Sequence, residues 1–174
     1  ANKYILAINP GSTSTKIAIF LGEKKILGQN ISHTAEELAP FPKIIDQHHF
    51  REKVILEFLK QNAFDVTLLA AVVGRGGLLG PMASGTYLVS DEMTEYLKKT
   101  KTEHASNLGA LLANDIAKTI QVDAYIVDPV TVDEMTDMAK ITGLPEIRRI
   151  SIFHALNQKA AAREAAKKLQ RPYE

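Results

Sequence analysis

The run Asn9-Pro10-Gly11-Ser12-Thr13-Ser14-Thr15-Lys16 puts a glycine, four hydroxyl side chains and a lysine directly after an apolar stretch. That combination can hold a phosphate. Gly11 lets an anion approach the backbone closely, the hydroxyls of Ser12, Thr13, Ser14 and Thr15 donate hydrogen bonds, and successive N–H groups in a tight turn form an anion-binding nest. Lys16 adds positive charge if its side chain turns toward the site. The Gly-Lys-Ser/Thr ending of the common nucleotide loop is missing, as is a dinucleotide fingerprint of three spaced glycines. Ordinary hairpin turns use the same residue types, so the loop alone leaves both readings open.

Four more groups carry chemistry. Arg75 follows an apolar run and is flanked by Gly74, Gly76 and Gly77. Ligands bind at the carboxyl ends of parallel strands in open α/β sheets, and an arginine there can grip phosphate or carboxylate oxygens through two donors, with the glycines keeping the approach clear. A solvated arginine in a glycine-rich turn is the plain alternative. Asp128 ends another apolar run ahead of Pro129, a position from which a carboxylate can hold Mg²⁺ through water, although Asp-Pro also opens common turns. His104 and His154 fall near predicted helix starts, where an imidazole can donate to a transferring phosphoryl group or simply be satisfied by its neighbours. His48 and His49 are adjacent and should diverge on a helix, which argues against a shared metal ion. His33 lies in a polar stretch and prompts no assignment.

These residues need elements to place them. Tyr4–Ile8, Lys16–Phe20 and Lys25–Ile31 read as strands joined by short turns at Gly11-Ser12 and Gly22-Glu23, which makes an antiparallel meander. Thr67–Val73 reads as a central parallel strand covered on both faces, and Ala124–Val127 as a second short buried strand. Helical spacing covers 44–61, 106–119, 132–141 and 151–169, with Ser151 as N-cap of the last. The alanines at 160–162, 165 and 166 suit a helix packed closely against another element. The expectation is an α/β unit with a mixed five-stranded sheet, opened by a three-stranded antiparallel meander, with helices packed on its faces.

Composition removes several function classes. Of the 174 residues 45% are apolar and 24% charged, enough for a single domain with a real core. The 21 basic and 20 acidic residues leave a net charge of +1 with no basic block, so nothing points to nucleic acid. There is no cysteine, which rules out disulfides and thiolate metal sites and suits a reducing cytoplasm. No run is long enough to span a bilayer, and the first twenty residues are too interrupted for a signal peptide.

Five blocks, taken in order, resemble the butyrate kinases, members of the acetate and sugar kinase, Hsp70 and actin superfamily. They are Ile-Leu-Ala-Ile-Asn-Pro-Gly-Ser-Thr-Ser-Thr-Lys, Val-Gly-Arg-Gly-Gly-Leu-Leu, Glu-His-Ala-Ser-Asn-Leu-Gly-Ala, Ile-Val-Asp-Pro-Val and Ser-Ile-Phe-His-Ala-Leu-Asn-Gln-Lys. The resemblance runs through the whole chain. It implies a ribonuclease H-like, actin-like ATPase lobe at 1–174 and a cytoplasmic phosphotransferase, homo-oligomeric as the full-length enzyme. The implied reaction moves a phosphoryl group between ATP and a short-chain carboxylate, butyrate or a branched acid, with Mg²⁺; acetate or propionate is the alternative substrate.

By the same resemblance, Asn9, Gly11, Ser12, Thr13, Ser14 and Lys16 line the phosphate site, and Arg75 binds the carboxylate or the transferring group. His104 and His154 donate to that group, while Asp128 with Asn9 positions the metal. Phe153 walls the acyl chain, where each buried methylene contributes ~0.8 kcal/mol. The family's second lobe, with the adenosine pocket, does not follow in this chain, so 174 residues alone are expected to lack efficient kinase activity. A stand-alone lobe serving as a binding module is the reading from another class.

Overall fold

Apolar alternation builds the sheet. In the computed structural model, which describes residues 4–173, β1 (Tyr4–Pro10), β2 (Ser14–Leu21) and β3 (Lys24–Ser32) form the expected meander. The readings at residues 1–3 and 174 lie outside the described residues. Leu6, Ile8, Ile17 and Ile19 point to one face and are buried, as the two-residue period of a strand requires. β4 (Leu69–Arg75) pairs parallel with β1, and β6 (Asp123–Val127) pairs parallel with β4. A short edge strand, β5 (Thr86–Leu88), runs antiparallel to β6, so among the described residues the sheet has six strands in the order β3-β2-β1-β4-β6-β5. The expectation of five missed the edge strand because three residues are too few to show a period.

The named helices are α1 (Ala35–Leu38), α2 (His48–Gln61), α3 (Asp91–Lys99), α4 (Leu108–Ile120) and α5 (Ala155–Lys168). α4 lies along β4 and β6, and α2 packs against α4. Ile55, Phe58 and Leu59 from α2 join Leu108, Leu112 and Ile116 from α4 over the inward face of the sheet. Both helices begin later than their spacing suggested, each behind a 3₁₀ turn, at Ile44–Gln47 and Ala105–Asn107. α3 was not anticipated. Its signals are local: Ser90 Oγ accepts from Met93 N at 3.1 Å, with Asp91 and Glu92 in the first turn and Lys98 and Lys99 in the last, an arrangement that complements the helix dipole.

Three expectations fail for identifiable reasons. Among the described residues no helix covers the opposite face of the sheet: Ala7, Ala18, Phe20, Val73 and Val127 are only half-buried and border a hollow of about 620 Å³. β4 is therefore buried on one face, and the alanine-rich α5 is mostly exposed, with only Ala155 buried. The helix expected at 132–141 is absent apart from a 3₁₀ turn at Met138–Lys140. There the backbone bonds the 80s segment instead, with Asp133 N donating to Met82 O at 2.9 Å and Met82 N donating to Thr131 O at 3.3 Å. The β-branched run Val130-Thr131-Val132 favours that extended form. Finally, Ser151 is not an N-cap; its hydroxyl donates to Val132 O at 2.6 Å, and α5 starts at Ala155.

Candidate active site

The loop between β1 and β2 is held from beneath by a residue that the sequence did not mark. Arg51, on α2, is fully buried. Its Nη1 donates to the carbonyls of Gly11 (2.7 Å) and Ser14 (2.9 Å) and to Thr15 Oγ1 (3.3 Å), while Nη2 donates to Ser12 O (3.0 Å). Gln47 Oε1 accepts from Nε and Nη2 and so holds the guanidinium with its Nη edge toward the loop. Burial pushes the Arg51 pKa down to about 10, so it stays charged at neutral pH. Because a peptide unit is planar and trans, pulling the Gly11 and Ser12 carbonyls inward turns the N–H groups of Ser12 and Thr13 outward. Both residues are exposed. The outward turn of these N–H groups, which an anion-binding nest would need, thus has a physical cause: a buried cation gripping the far side of the same peptide groups.

His33, given no role from sequence, completes this support. Its Nε2 meets Thr15 Oγ1 at 2.8 Å, its N–H donates to Thr13 O at 2.9 Å, and its ring stands edge-on to Phe50. Burial first, and then the Arg51 charge, hold its pKa below the usual imidazole value. Strand alternation separates the loop's own residues. Thr15 turns down to Arg51, whereas Lys16 faces the 620 Å³ hollow on the open side of the sheet.

The facing wall comes from the ends of β4 and β6. Arg75 donates through Nε (3.2 Å) and Nη2 (3.0 Å) to Asp128 Oδ2. Asp128 Oδ1 accepts from the N–H groups of Leu156 (3.0 Å) and Asn157 (3.4 Å), so this carboxylate caps α5 from 28 residues away in sequence. His154 Nδ1 donates to the Asp128 carbonyl at 2.7 Å and lies 3.2 Å from Asp128 Oδ2. The Asp128 backbone is left-handed, with φ of 51°, which an aspartate tolerates better than most residues. One residue therefore organises an arginine, a histidine and a helix start.

The two histidines differ in their protons. His104 Nδ1 accepts from Ser106 N (3.2 Å) and meets Ser106 Oγ at 2.5 Å, which leaves its proton on Nε2. His154 has its proton on Nδ1, committed to Asp128. Burial, opposed by that backbone bond and reinforced by the Arg75 charge, lowers the His154 pKa. Neutral His154 thus offers a lone pair at Nε2, whereas neutral His104 offers a donor.

Asn9, Gly11, Ser12, Arg75, His104 and His154 all border one cleft of about 420 Å³. Thr13, Ser14, Lys16, Asp128 and Phe153 do not line it. Asn9 and Arg75 also border the 620 Å³ hollow, with Lys16 and Asp128, so the two spaces adjoin. Phe153 is half-exposed. A third space of about 390 Å³ touches His104 and is bordered by Leu78, Tyr96, Val130 and Ile152, and Phe153 does not line it. The glycines at the end of β4 serve packing more than access. A Cβ on Gly74 would fall 2.0 Å from Gly109 O, and one on Gly77 would fall 2.5 Å from Asn107 Oδ1, so strand end and helix start meet backbone to backbone.

A metal fits this site only in part. Arg75, His154 and two helix amides occupy the Asp128 carboxylate, so direct coordination there would break the network. The Asn9 side chain borders the cleft and offers an amide oxygen of the kind Mg²⁺ accepts alongside retained water.

No family model matches the chain. Butyrate kinase 2 and butyrate kinase 1 of Clostridium acetobutylicum are 53% and 54% identical to it over 171 residues, 98% of this chain and 48% of each relative. A probable butyrate kinase of Listeria monocytogenes is 51% identical over the same length. The chain spans about half the length of these curated relatives. Among solved structures, Porphyromonas gingivalis acetate kinase aligns with a TM-score of 0.63 at 15% identity, covering 98% of this chain and 50% of that one. A propionate kinase from Francisella tularensis aligns at 0.60 and 15%, covering 97% and 50%. At that identity the likeness speaks to the fold, which is the actin-like one.

Proposed function

We propose that this chain, a relative of the butyrate kinases over 98% of its length, is the N-terminal lobe of a cytoplasmic kinase that phosphorylates short-chain carboxylates. A carboxylate oxygen attacks the γ-phosphorus of ATP, the bond from that phosphorus to the bridging oxygen breaks, and ADP leaves with the electron pair. The reverse step makes ATP from an acyl phosphate. Such a reaction asks a protein for alignment and charge stabilisation rather than covalent help. The supporting observation is the 420 Å³ cleft, where loop amides, an arginine and two histidines converge.

In this reading the outward amides of Ser12 and Thr13 hold phosphate oxygens. Arg75 keeps two donors on Asp128 and turns the rest of its guanidinium to the transferring group. His104 donates from Nε2. His154 becomes a donor only after taking up a proton, which an arriving phosphoryl group favours by its charge. Bound Mg²⁺ would neutralise phosphate charge, with Asn9 as its contact here and Asp128 acting through Arg75 and His154. The apolar space beside His104 takes the acyl chain. The similarity to butyrate kinases supports butyrate over acetate or propionate.

The test is hydroxylamine trapping of acyl phosphate from ATP and butyrate, propionate or acetate, using the protein that carries this chain with its second half. Butyrate should give the highest kcat/KM, and Arg75→Ala or His104→Ala should lower it ~10²–10³-fold, the usual cost of losing one preorganised donor. Robust turnover by the 174 residues alone, or undiminished turnover by Arg75→Ala, would overturn the proposal.

A further inference from the structure

A second cluster lies outside the cleft. His48 opens α2, and His49 follows it; their rings do not diverge but stack, with centroids 3.7 Å apart and planes at 39°. Side chains on a helix lean toward its N-terminus, and His48 folds back far enough for Nδ1 to meet the Ile45 carbonyl at 3.2 Å. A carbonyl only accepts, so the proton sits on Nδ1 and the lone pair on Nε2. That Nε2 faces Asp115 Oδ2, on α4, at 3.7 Å. His49 Nδ1 faces Glu52 Oε2 at 3.5 Å, which likewise frees its Nε2. One ligand atom from each of His48, His49 and Asp115 falls within 4.8 Å of the others.

We propose that His48, His49 and Asp115 form a binding site for one divalent ion of the zinc type, stapling α2 to α4. Two imidazoles and one carboxylate suit zinc, and copper or nickel less selectively, whereas Mg²⁺ prefers oxygen donors alone. The 3.7 Å separation is longer than a hydrogen bond. It is close to the spacing of two donors that each lie ~2.1 Å from one tetrahedral ion, about 3.4 Å. Both Nδ1 atoms face oxygen acceptors, the outer arrangement that orients metal-binding histidines. The two helices are already fixed by the core formed by Ile55, Leu59, Leu112 and Ile116, so small side-chain adjustments close the site. Arg51 follows three residues after His48 on the same helix, and an ion here would steady the helix that supports the loop. The site is independent of the kinase reading and of its Mg²⁺.

Zinc chloride titrated into the chain by calorimetry should show one saturable site, and Tm should rise with Zn²⁺, not with MgCl₂, and fall back on chelation. His48→Gln and Asp115→Asn should each weaken binding at least tenfold while leaving circular dichroism unchanged. X-ray absorption of the zinc-loaded wild type should show scattering from two imidazoles, a readout that does not depend on any variant folding. The proposal is overturned by the absence of saturable binding, by binding that survives both substitutions, or by a zinc environment without imidazole.

Discussion

The two walls of the cleft are built by opposite means. The loop wall rests on a buried cation whose acceptors are carbonyls, a hydroxyl and an amide; Arg51 holds Gly11, Ser12, Ser14, Thr15 and Gln47. The strand-end wall rests on a charge pair, Arg75 with Asp128, whose side chains keep 23% and 11% of their exposure. Neutral acceptors leave the Arg51 charge uncancelled beneath the loop. The paired Arg75 is instead held in place, with part of its guanidinium spoken for. In the proposed kinase, long-range attraction of phosphate would come from the first wall and orientation from the second.

Breaking each wall separately tests this division. Arg51→Met should have the largest effect, ~3–5 kcal/mol in urea unfolding, because several buried acceptors lose their donor at once. Arg51→Lys should recover part of it, and recovery to wild-type stability would mean that charge, not the fork of donors, supports the loop. Asp128→Ala should cost about 3 kcal/mol by leaving Arg75 partly buried and unpaired and α5 uncapped; amide exchange should rise first at Leu156 and Asn157. Gly74→Ala strikes the backbone contact between β4 and α4 and should cost ~1–3 kcal/mol through the clash with Gly109.

The smallest effect separates the walls by pH. His33 under the loop and His154 at the strand ends both have lowered folded pKa values, so folding favours their neutral forms. Their contribution is fully present above the unfolded imidazole value, roughly 6.5, and is lost as pH falls from there through the folded values. His33→Asn and His154→Asn should each flatten part of the stability curve below that pH. Only His154→Asn should also change the pH profile of kcat/KM, since only His154 borders the cleft.

Much of this was legible along the chain. The meander, β4, β6 and the α2 and α4 faces follow from periods of two and of about four residues. Asn9, Gly11, Ser12, Arg75, His104 and His154 were singled out and do meet in one cleft. Arg51 was invisible because a buried arginine on a helix has the same local pattern as a solvated one. Phe153, assigned to the acyl wall from the resemblance, borders neither the cleft nor the space beside His104; side-chain direction in an irregular segment has no period to read. The supposed divergence of His48 and His49 assumed regular helix geometry at a helix's first residues, where a side chain can fold back on the preceding turn.

The sequence by itself determined which chemical groups are available and on which elements they ride, because periodicity and turn chemistry are local properties. Tertiary structure alone decided how those groups are wired. Asp128 became a helix cap and the partner of Arg75 and His154, and the outward turn of the loop amides was set by a guanidinium 37–40 residues away. Hydrogen-bond partners far apart in sequence leave no local trace, since what selects them is the meeting of strand ends and helix starts around one core.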